Sequence, residues 1–373
     1  MRIYLDNAAT TALDPEVFEA MKPFMLEDFG NPSSTHAHGR KVRAAIESSR
    51  KKIAELLNCT PGEIIFTSGG TEADNALIVS GAYTYGIKHA ISTPIEHHAV
   101  THTLETLAKR GALQLHYVQL NEKGHVDMTN LEALLKQYPN ALISLMHANN
   151  EIGNLLDIKR VGEMAKEYKA FFHSDTVQTM GHYAHDMRTL NVSGMTAAAH
   201  KFHGPKGVGM LYINENVKIK PFVHGGSQER NMRAGTENLY GIIGFAKALE
   251  LATTHYENDS QYITDLKMYM MEQLQKQIAG VSFNGDPTGK SLYAVLSVSF
   301  PKTEKSEMIL FNLDINNICA SGGSACTSGA DQGSHVIRAI NNNPNQVTVR
   351  FSFSKHNTKA EIDQVIAKLK ELI

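Results

Sequence analysis

Short apolar runs alternate with segments of helical periodicity in the first part of the chain. The runs have the length of buried strands, and most intervening segments are long enough to form a helix. Strands are predicted at EIIFTS (63–68), HAIST (89–93), LISLMH (142–147), AFFHSD (170–175) and VGMLYI (208–213). This alternation predicts an α/β fold, with a mostly parallel central sheet and helices on both of its faces.

A second group of apolar runs lies in the last third of the chain. Two long helical stretches are predicted after residue 238, before these runs begin. The runs are YAVLSVSF (293–300), INNICAS (315–321) and VTVRFSFS (347–354). We therefore predict a large domain at 15–255 and a smaller α+β domain formed by 1–14 and 256–373.

Composition narrows the kinds of partner. The 373 residues include 36 Lys and Arg against 38 Asp and Glu, so the net charge of -2 predicts neither nucleic acid nor an anionic membrane as a partner. Three cysteines are too few and too scattered for a disulfide framework. The sequence shows no apolar signal core and no run of about 18 apolar residues, so we expect a reducing cytoplasm.

A predicted strand end at FTSGGTEADN (66–75) has features of a phosphate site. Ligands of open parallel sheets bind beyond the carboxyl ends of the strands. Here a Gly-Gly turn leads into a helix, with Thr71 as the predicted N-cap and Asp74 as its capping-box partner. Free amides at this helix start favour a phosphate, although a plain capped turn has the same pattern. The lysine and spacing of a nucleotide P-loop are missing.

Two further strand ends carry charged residues. AFFHSDTVQ (170–178) contains Asp175, which could balance a positive charge on a heterocyclic nitrogen or act as a helix N-cap. In TAAAHKFHGPKG (196–207), Lys201 follows small apolar residues. Partial desolvation there would lower the pKa of its amine and favour a Schiff base with a carbonyl group. Lys206, in the next turn, is the alternative.

Histidine is abundant, with 18 in the chain, so a metal site has to be considered. His98 and His102 have the i, i+4 spacing that can bind a metal from one helix face. The glutamate of an H-E-x-x-H motif and an obvious third ligand are both missing, so we predict no metal site. His97 is better placed to stack on a planar ring.

Cys326 has unusual neighbours. Within SGGSACTSG (321–329) it is surrounded by glycine, alanine, serine and threonine, whereas a structural cysteine normally packs among large apolar side chains. Glycines permit the loop to bend and move. The residues alone leave two interpretations open, a reactive thiol on a mobile loop or a glycine-rich loop that merely contains a cysteine.

These motifs together resemble those of the NifS/IscS-type cysteine desulfurases, which are class V aminotransferase-like enzymes of pyridoxal phosphate fold type I. The resemblance covers nearly the whole chain. The matching segments are YLDNAATT (4–11), GNPSSTHAHGR (30–40), FTSGGTEADN (66–75), IEHHAV (95–100), HANNEIG (147–153), SDTVQ (174–178), AHKFHGPKGVG (199–209), ERNMRAGTEN (229–238), SGGSACTSG (321–329) and VRFSFS (349–354).

The resemblance implies a pyridoxal 5'-phosphate site. Lys201 would carry the cofactor covalently, and His97 would stack on its ring. Asp175 would pair with the pyridine nitrogen, Gln178 would reach the phenolic oxygen, and Asn150 would lie near cofactor and substrate. The implied phosphate ligands are Gly70, Thr71, His200 and, from a partner subunit, Thr236.

The resemblance also implies a reaction. Arg350 would bind the α-carboxylate of L-cysteine through its planar fork of donors. Lys201 and His97 would move protons, and Cys326 would take the sulfur as a persulfide while L-alanine leaves. A homodimer would be the active unit. The sulfur would pass to an acceptor protein, such as an iron–sulfur scaffold or a carrier for tRNA thiolation.

Three alternative functions share parts of this pattern. A selenocysteine lyase or another class V aminotransferase would use the same cofactor residues, and a transaminase would not need Cys326. A non-enzymatic sulfur-relay protein could retain the fold alone.

One departure concerns the phosphate. Many relatives carry a serine three residues before the lysine, where this chain has Ala198, and we expect Thr196 on the same strand face to compensate. Cys59 and Cys319 are expected to be structural.

Overall fold

The structure is a computed structural model that describes residues 2–323, 333–341 and 343–373. Its α-helices, α1 to α10 in chain order, are Pro15–Leu26, Ala37–Leu56, Gly70–Tyr85, His98–Lys109, Met128–Gln137, Ile158–Glu167, Leu239–Gln277, Ile309–Ile315, His335–Ile340 and Lys359–Leu372. Its strands, β1 to β12, are Ile3–Tyr4, Ile64–Thr67, His89–Ser92, Gln114–Tyr117, Leu142–Ser144, Phe171–Asp175, Gly194–Ala198, Gly209–Ile213, Ser282–Phe283, Val295–Pro301, Ile318–Cys319 and Gln346–Ser352.

Seven strands form the main sheet, in the order β2-β8-β7-β6-β5-β3-β4. Strand β8 runs antiparallel to both β2 and β7, and the other neighbours are parallel. Side chains alternate between two apolar cores, so Phe172 packs in one and Phe171 in the other. Helices cover both faces, and the prediction of a mostly parallel sheet is confirmed.

A smaller sheet lies after the main one in the sequence. Strand β10 pairs antiparallel with both β9 and β12, and it packs on a separate apolar core. The prediction for INNICAS was partly wrong, because only Ile318–Cys319 is a strand there. That strand pairs in parallel with β1 instead of joining the three-stranded sheet, which brings the N-terminal segment to this part of the molecule.

Helix α7 links the two sheets. The two helical stretches predicted after residue 238 are one helix of 39 residues. Its first part packs in the core of the main sheet through Phe245, and its last part packs in the core of the smaller sheet through Met270. The proposed domain boundary at residue 255 lies inside it, between the two packed parts. No helix in the described ranges, α7 included, is both long and apolar enough to cross a membrane.

Candidate active site

A cavity of about 230 Å³ lies beyond the carboxyl ends of β6 and β7. The predicted site residues that line it are Gly70, Thr71, His97, Asn150, Asp175, Gln178, His200, Lys201 and Arg350. The remaining lining residues are Ala8, Ala9, Asp74, Met146, Val177 and Ala198. The fold thus brings residues from both sheets and from the N-terminal segment to one cavity.

The start of α3 forms one end of the cavity. The predicted capping box is wrong, because Gly69 is the N-cap and no side chain bonds the first turn from that position. Thr71 lies inside the helix. A Cβ atom at Gly70 would come within 2.6 Å of Cγ2 of Val177, so only glycine leaves this backbone open. A helix N-terminus with an open backbone suits a phosphate.

His200 lies beside this end of the cavity. Its Nδ1 is 3.1 Å from the hydroxyl of Thr10. Burial, together with the charge of Lys201, lowers the pKa of His200 to about 4, so its ring is neutral near pH 7. The expected compensation by Thr196 is not present: its hydroxyl donates to Oδ1 of Asp74 at 2.7 Å and it does not line the cavity.

Asp175 supplies a carboxyl group to the floor of the cavity. It is the last residue of β6, and its Oδ1 accepts the Val177 amide at 2.9 Å, so it caps a turn and not a helix. Burial, reinforced by the nearby charge of Asp74, raises the pKa of Asp175 to about 7, while Lys201 works in the opposite direction. A buried carboxyl of this kind is stabilised in its ionised form by a bound cation.

Asp74 is a second buried carboxyl that the sequence motifs assigned to a different role. It accepts from Thr196 and lies 3.2 Å from Nε2 of His173, whose Nδ1 is 2.8 Å from the Ser144 hydroxyl. Burial raises the pKa of Asp74 to about 7. The available signal was its position, one turn into a helix that is otherwise mostly small and apolar on that side.

Backbone carbonyls of the N-terminal segment hold two of the predicted cofactor ligands. Nζ of Lys201 donates to the carbonyl oxygens of Ala8 and Ala9, at 2.7 and 2.9 Å. Nε2 of Gln178 donates to the Ala8 carbonyl at 3.0 Å. These contacts give the DNAATT motif a physical role that its composition did not indicate.

His97 is the N-cap of α4. Its Nδ1 accepts the Ala99 amide at 3.2 Å, which leaves the ring proton on Nε2. Burial, with the charge of Lys201, lowers the pKa of His97 to about 4. His98 and His102 stack on each other with ring centroids 4.6 Å apart, and no metal-binding cluster of three side chains was found among the described residues.

Arg350 brings a buried positive charge from β12. It donates through Nη1 to the Asn150 carbonyl at 2.9 Å and through Nη2 to Oδ1 of Asp6 at 2.8 Å. The hydroxyl of Ser321 donates to the same Asp6 oxygen at 2.8 Å. Nε of Arg350 is buried and has no hydrogen-bond partner in the described part of the chain. The guanidinium is therefore held in place with donor capacity to spare.

Thr236 and Cys326 are the remaining predicted site residues. Thr236 is exposed and does not line the cavity of its own chain. Cys326 lies in 324–332, outside the described residues. The cysteines that the structure describes, Cys59 and Cys319, do not line the cavity.

Comparisons with known proteins identify the family of this chain. The family model "Aminotransferase class-V" matches residues 3–365. Cysteine desulfurase IscS of Dictyoglomus turgidum is 44% identical, over 100% of this chain and 94% of its own length. A solved NifS-like protein has a TM-score of 0.92 and 36% identity, covering 100% of this chain and 99% of its own. SspA in complex with cysteine has a TM-score of 0.83 and 29% identity, covering 96% of this chain and 100% of its own. The chain therefore belongs to the class V aminotransferase family, among the NifS/IscS-like cysteine desulfurases.

Proposed function

We propose that this protein removes sulfur from L-cysteine with the help of pyridoxal 5'-phosphate bound in the cavity. One observation carries the proposal: Lys201, the buried Asp175 and the open start of α3 converge on one space of about 230 Å³. An amine, an acid and a phosphate site are the groups that this cofactor requires. The full-length similarity to cysteine desulfurases gives the substrate.

The residues fit the cofactor at each of its ends. Gly70, Thr71 and His200 would hold the phosphate, and Lys201 would hold the aldehyde carbon. Asp175 would face the protonated pyridine nitrogen, which supplies the cation that its buried carboxyl lacks. The ring would lie against His97, with Gln178 at the phenolic oxygen. When bound, the cofactor draws electrons from the amino acid and so weakens its bond between Cβ and sulfur.

Arg350 and Asn150 would bind the substrate. A guanidinium recognises a carboxylate through two parallel hydrogen bonds, and Asp6 and the Asn150 carbonyl fix its orientation here. The similar protein SspA has been solved with cysteine, which supports an amino acid of this size as the ligand.

Two groups would move protons. Lys201 lies at the cavity, where its amine donates to two backbone carbonyls. Once the substrate amine has taken its place, the amine of Lys201 can transfer protons. His97 is neutral near pH 7 and carries its proton on Nε2, so Nε2 can donate a hydrogen bond, whereas the ring can take up a proton only at Nδ1. To accept a proton from the substrate thiol, Nδ1 has to release the Ala99 amide.

Cys326 would accept the sulfur. Its thiolate attacks the sulfur of bound L-cysteine, a sulfur–sulfur bond forms, and the bond from sulfur to Cβ breaks. The electron pair of that broken bond stays with the substrate carbon, which takes a proton, so L-cysteine and the Cys326 thiol become L-alanine and a persulfide. Cys59 and Cys319 are poorer nucleophiles than a free thiol, because burial raises the pKa of Cys59 to about 12 and also raises the pKa of Cys319.

The family resemblance also suggests how the protein assembles and where the sulfur goes. We propose a homodimer in which Thr236 completes the phosphate site of the partner subunit, since it is exposed in its own chain. The persulfide would pass to an acceptor protein in a reducing cytoplasm, where free thiols persist. The two-domain division near residue 255 would place Lys201 in the large domain and Arg350 in the small one.

A comparison of two variants tests the function. Wild type should release alanine and, with dithiothreitol, sulfide from L-cysteine, while Cys326→Ser should keep the absorbance of bound cofactor and lose sulfide release. Cys319→Ser is the matched control and should behave as wild type. If Cys326→Ser desulfurates at the wild-type rate, the role of Cys326 is wrong.

The same experiment separates the alternatives. Transamination that persists in Cys326→Ser without any wild-type desulfuration would favour another class V aminotransferase. A strong preference for selenocysteine over cysteine would favour a selenocysteine lyase. If pyridoxal phosphate leaves no absorbance band on the purified protein, a non-enzymatic sulfur-relay protein is the better interpretation.

A further inference from the structure

Glu151 is a buried acid beside the proposed substrate site that none of the roles above uses. It follows Asn150 and is 1% exposed. Its amide donates to Oδ1 of Asn149 at 2.9 Å, and the side-chain amide of Asn149 donates to the Ile95 carbonyl at 2.8 Å. The turn that carries the Glu151 carboxylate is therefore fixed to the end of the main sheet.

This carboxylate contacts the chain on both sides of residues 324–332. On the C-terminal side, the hydroxyl of Ser334 donates to Oε2 of Glu151 and also accepts the Ile337 amide at 3.0 Å, as the N-cap of α9. On the N-terminal side, Gly323 packs so closely that a Cβ atom there would lie 2.6 Å from the same Oε2, at a φ of +135°. One oxygen atom thus sets the approach of both flanks.

The other oxygen makes Glu151 costly for the fold. Oε1 is buried without a hydrogen-bond partner in the described part of the chain, and no described Lys or Arg forms an ion pair with this residue. A buried carboxylate that is only half satisfied destabilises a protein compared with an apolar or amide side chain. In the described part of the chain, Oε2 is therefore the carboxylate oxygen of Glu151 that makes the side-chain contacts.

Both flanks are also tied to the proposed catalytic groups. Ser321 pairs with Arg350 through two backbone hydrogen bonds, at 2.6 and 3.2 Å. Nε2 of His335 donates to the carbonyl of Glu96, the residue before His97, at 2.9 Å. The two flanks therefore have defined positions relative to Arg350 and His97.

We infer that Glu151 is a positioning residue for sulfur transfer: it holds the two flanks of the Cys326 segment together and against the substrate site. This inference rests on the proposed function and adds a residue to it. It predicts that loss of the Glu151 contacts slows persulfide formation on Cys326 while the reaction of L-cysteine with the bound cofactor proceeds as in wild type.

The test uses the cofactor-loaded enzyme and separates the two halves of the reaction. Stopped-flow absorbance after addition of L-cysteine follows the cofactor half, and intact-mass measurement of trapped persulfide follows the sulfur half. The variants are Glu151→Ala and Ser334→Ala, with Ser334→Thr as the conservative rescue. Glu163→Ala, at a side chain that is 49% exposed, is the matched control for loss of an acid.

Glu151→Ala and Ser334→Ala should form persulfide at least about tenfold more slowly, since a small misplacement of a reacting group costs rate steeply. Their absorbance changes should match those of wild type, Ser334→Thr should restore the rate, and the double variant should be no slower than the worse single one. Gly323→Ala gives a second approach, because its added Cβ should push the flank from Glu151 and slow the same step.

Defined results would overturn the inference. Wild-type persulfide rates in Glu151→Ala and Ser334→Ala would show that the contacts position nothing. Equal losses in both halves of the reaction would assign Glu151 to the general fold. Loss of cofactor binding in Glu151→Ala, Ser334→Ala and Gly323→Ala would lead to the same assignment. Absence of persulfide in wild type would instead contradict the proposed function, so the two failures are distinguishable.

Discussion

Replacing Asp175 with asparagine should increase the stability of the cofactor-free protein and decrease the stability of the cofactor-loaded protein. Burial, together with the charge of Asp74, raises the pKa of Asp175 from 3.8 to about 7. An acid whose pKa is raised on folding loses stability as pH increases from its unfolded pKa to its folded pKa. The difference corresponds to about 4 kcal/mol when the group is fully ionised, and more than half of it develops between pH 5 and pH 8.

The variant should remove that loss without disturbing the turn, because the amide oxygen of asparagine can still accept the Val177 amide. Thermal unfolding of the cofactor-free protein at pH 5 and pH 8 measures the effect. Wild type should lose more stability over this interval than Asp175→Asn. After reconstitution with pyridoxal phosphate, wild type should instead be the more stable of the two proteins, because its buried carboxylate then has a cation beside it. The exposed Asp265→Asn is the control.

Equal pH dependence of cofactor-free wild type and Asp175→Asn would refute the assignment of a buried, cation-seeking carboxyl. Retention of full cofactor affinity by Asp175→Asn would refute the proposed pairing with the pyridine nitrogen. The two measurements are independent, since the first requires no ligand.

Three further variants test the cofactor site. Gly70→Ala should weaken pyridoxal phosphate binding about tenfold or more, because the added methyl group meets Val177. Gly69→Ala is the control, since nothing lies within 4 Å of its new methyl group, and it should bind as wild type in a fluorescence titration. Equal affinities of the two variants would contradict the close approach at Gly70. Ala198→Ser should slow cofactor dissociation by about tenfold, through one added hydrogen bond to a charged phosphate, and an unchanged off-rate would place the phosphate elsewhere. Lys201→Ala should abolish the absorbance band of the covalently held cofactor, and a band that survives would exclude Lys201 as its attachment site.

The sequence predicts some strands closely because burial on both faces produces continuous apolar runs, although LISLMH extends three residues beyond the end of β5 at Ser144. AFFHSD and VGMLYI match β6 and β8 within a residue. Strand β7 is harder to predict, since its alanines carry little β-branched or aromatic signal and it is defined by pairing with its neighbours. The long helix α7 was predicted as two because its exposed middle interrupts the apolar pattern between two different cores.

The candidate site shows a similar limit. Lys201 and Asp175 are indicated by their places at predicted strand ends, although each has an alternative interpretation there, and Arg350 is identified only through the family resemblance. Asp74 was assigned to a cap because its spacing from Thr71 fits one, and only the packing of α3 against β6 and β7 turns its carboxyl inward. Contacts that depend on backbone atoms, such as the Ala8 carbonyl with Lys201, leave almost no trace in residue identity.

Helix α7 also has a mechanical consequence. A helix advances about 1.5 Å and turns about 100° per residue, so its length fixes both the spacing and the twist of whatever its two ends carry. Residues 253–258 are mostly exposed and would accept many side chains. Insertion or deletion of one residue there should therefore rotate the core that packs on the second part of α7 relative to the core that packs on its first part. We therefore expect this stretch to tolerate many substitutions but no change in its number of residues.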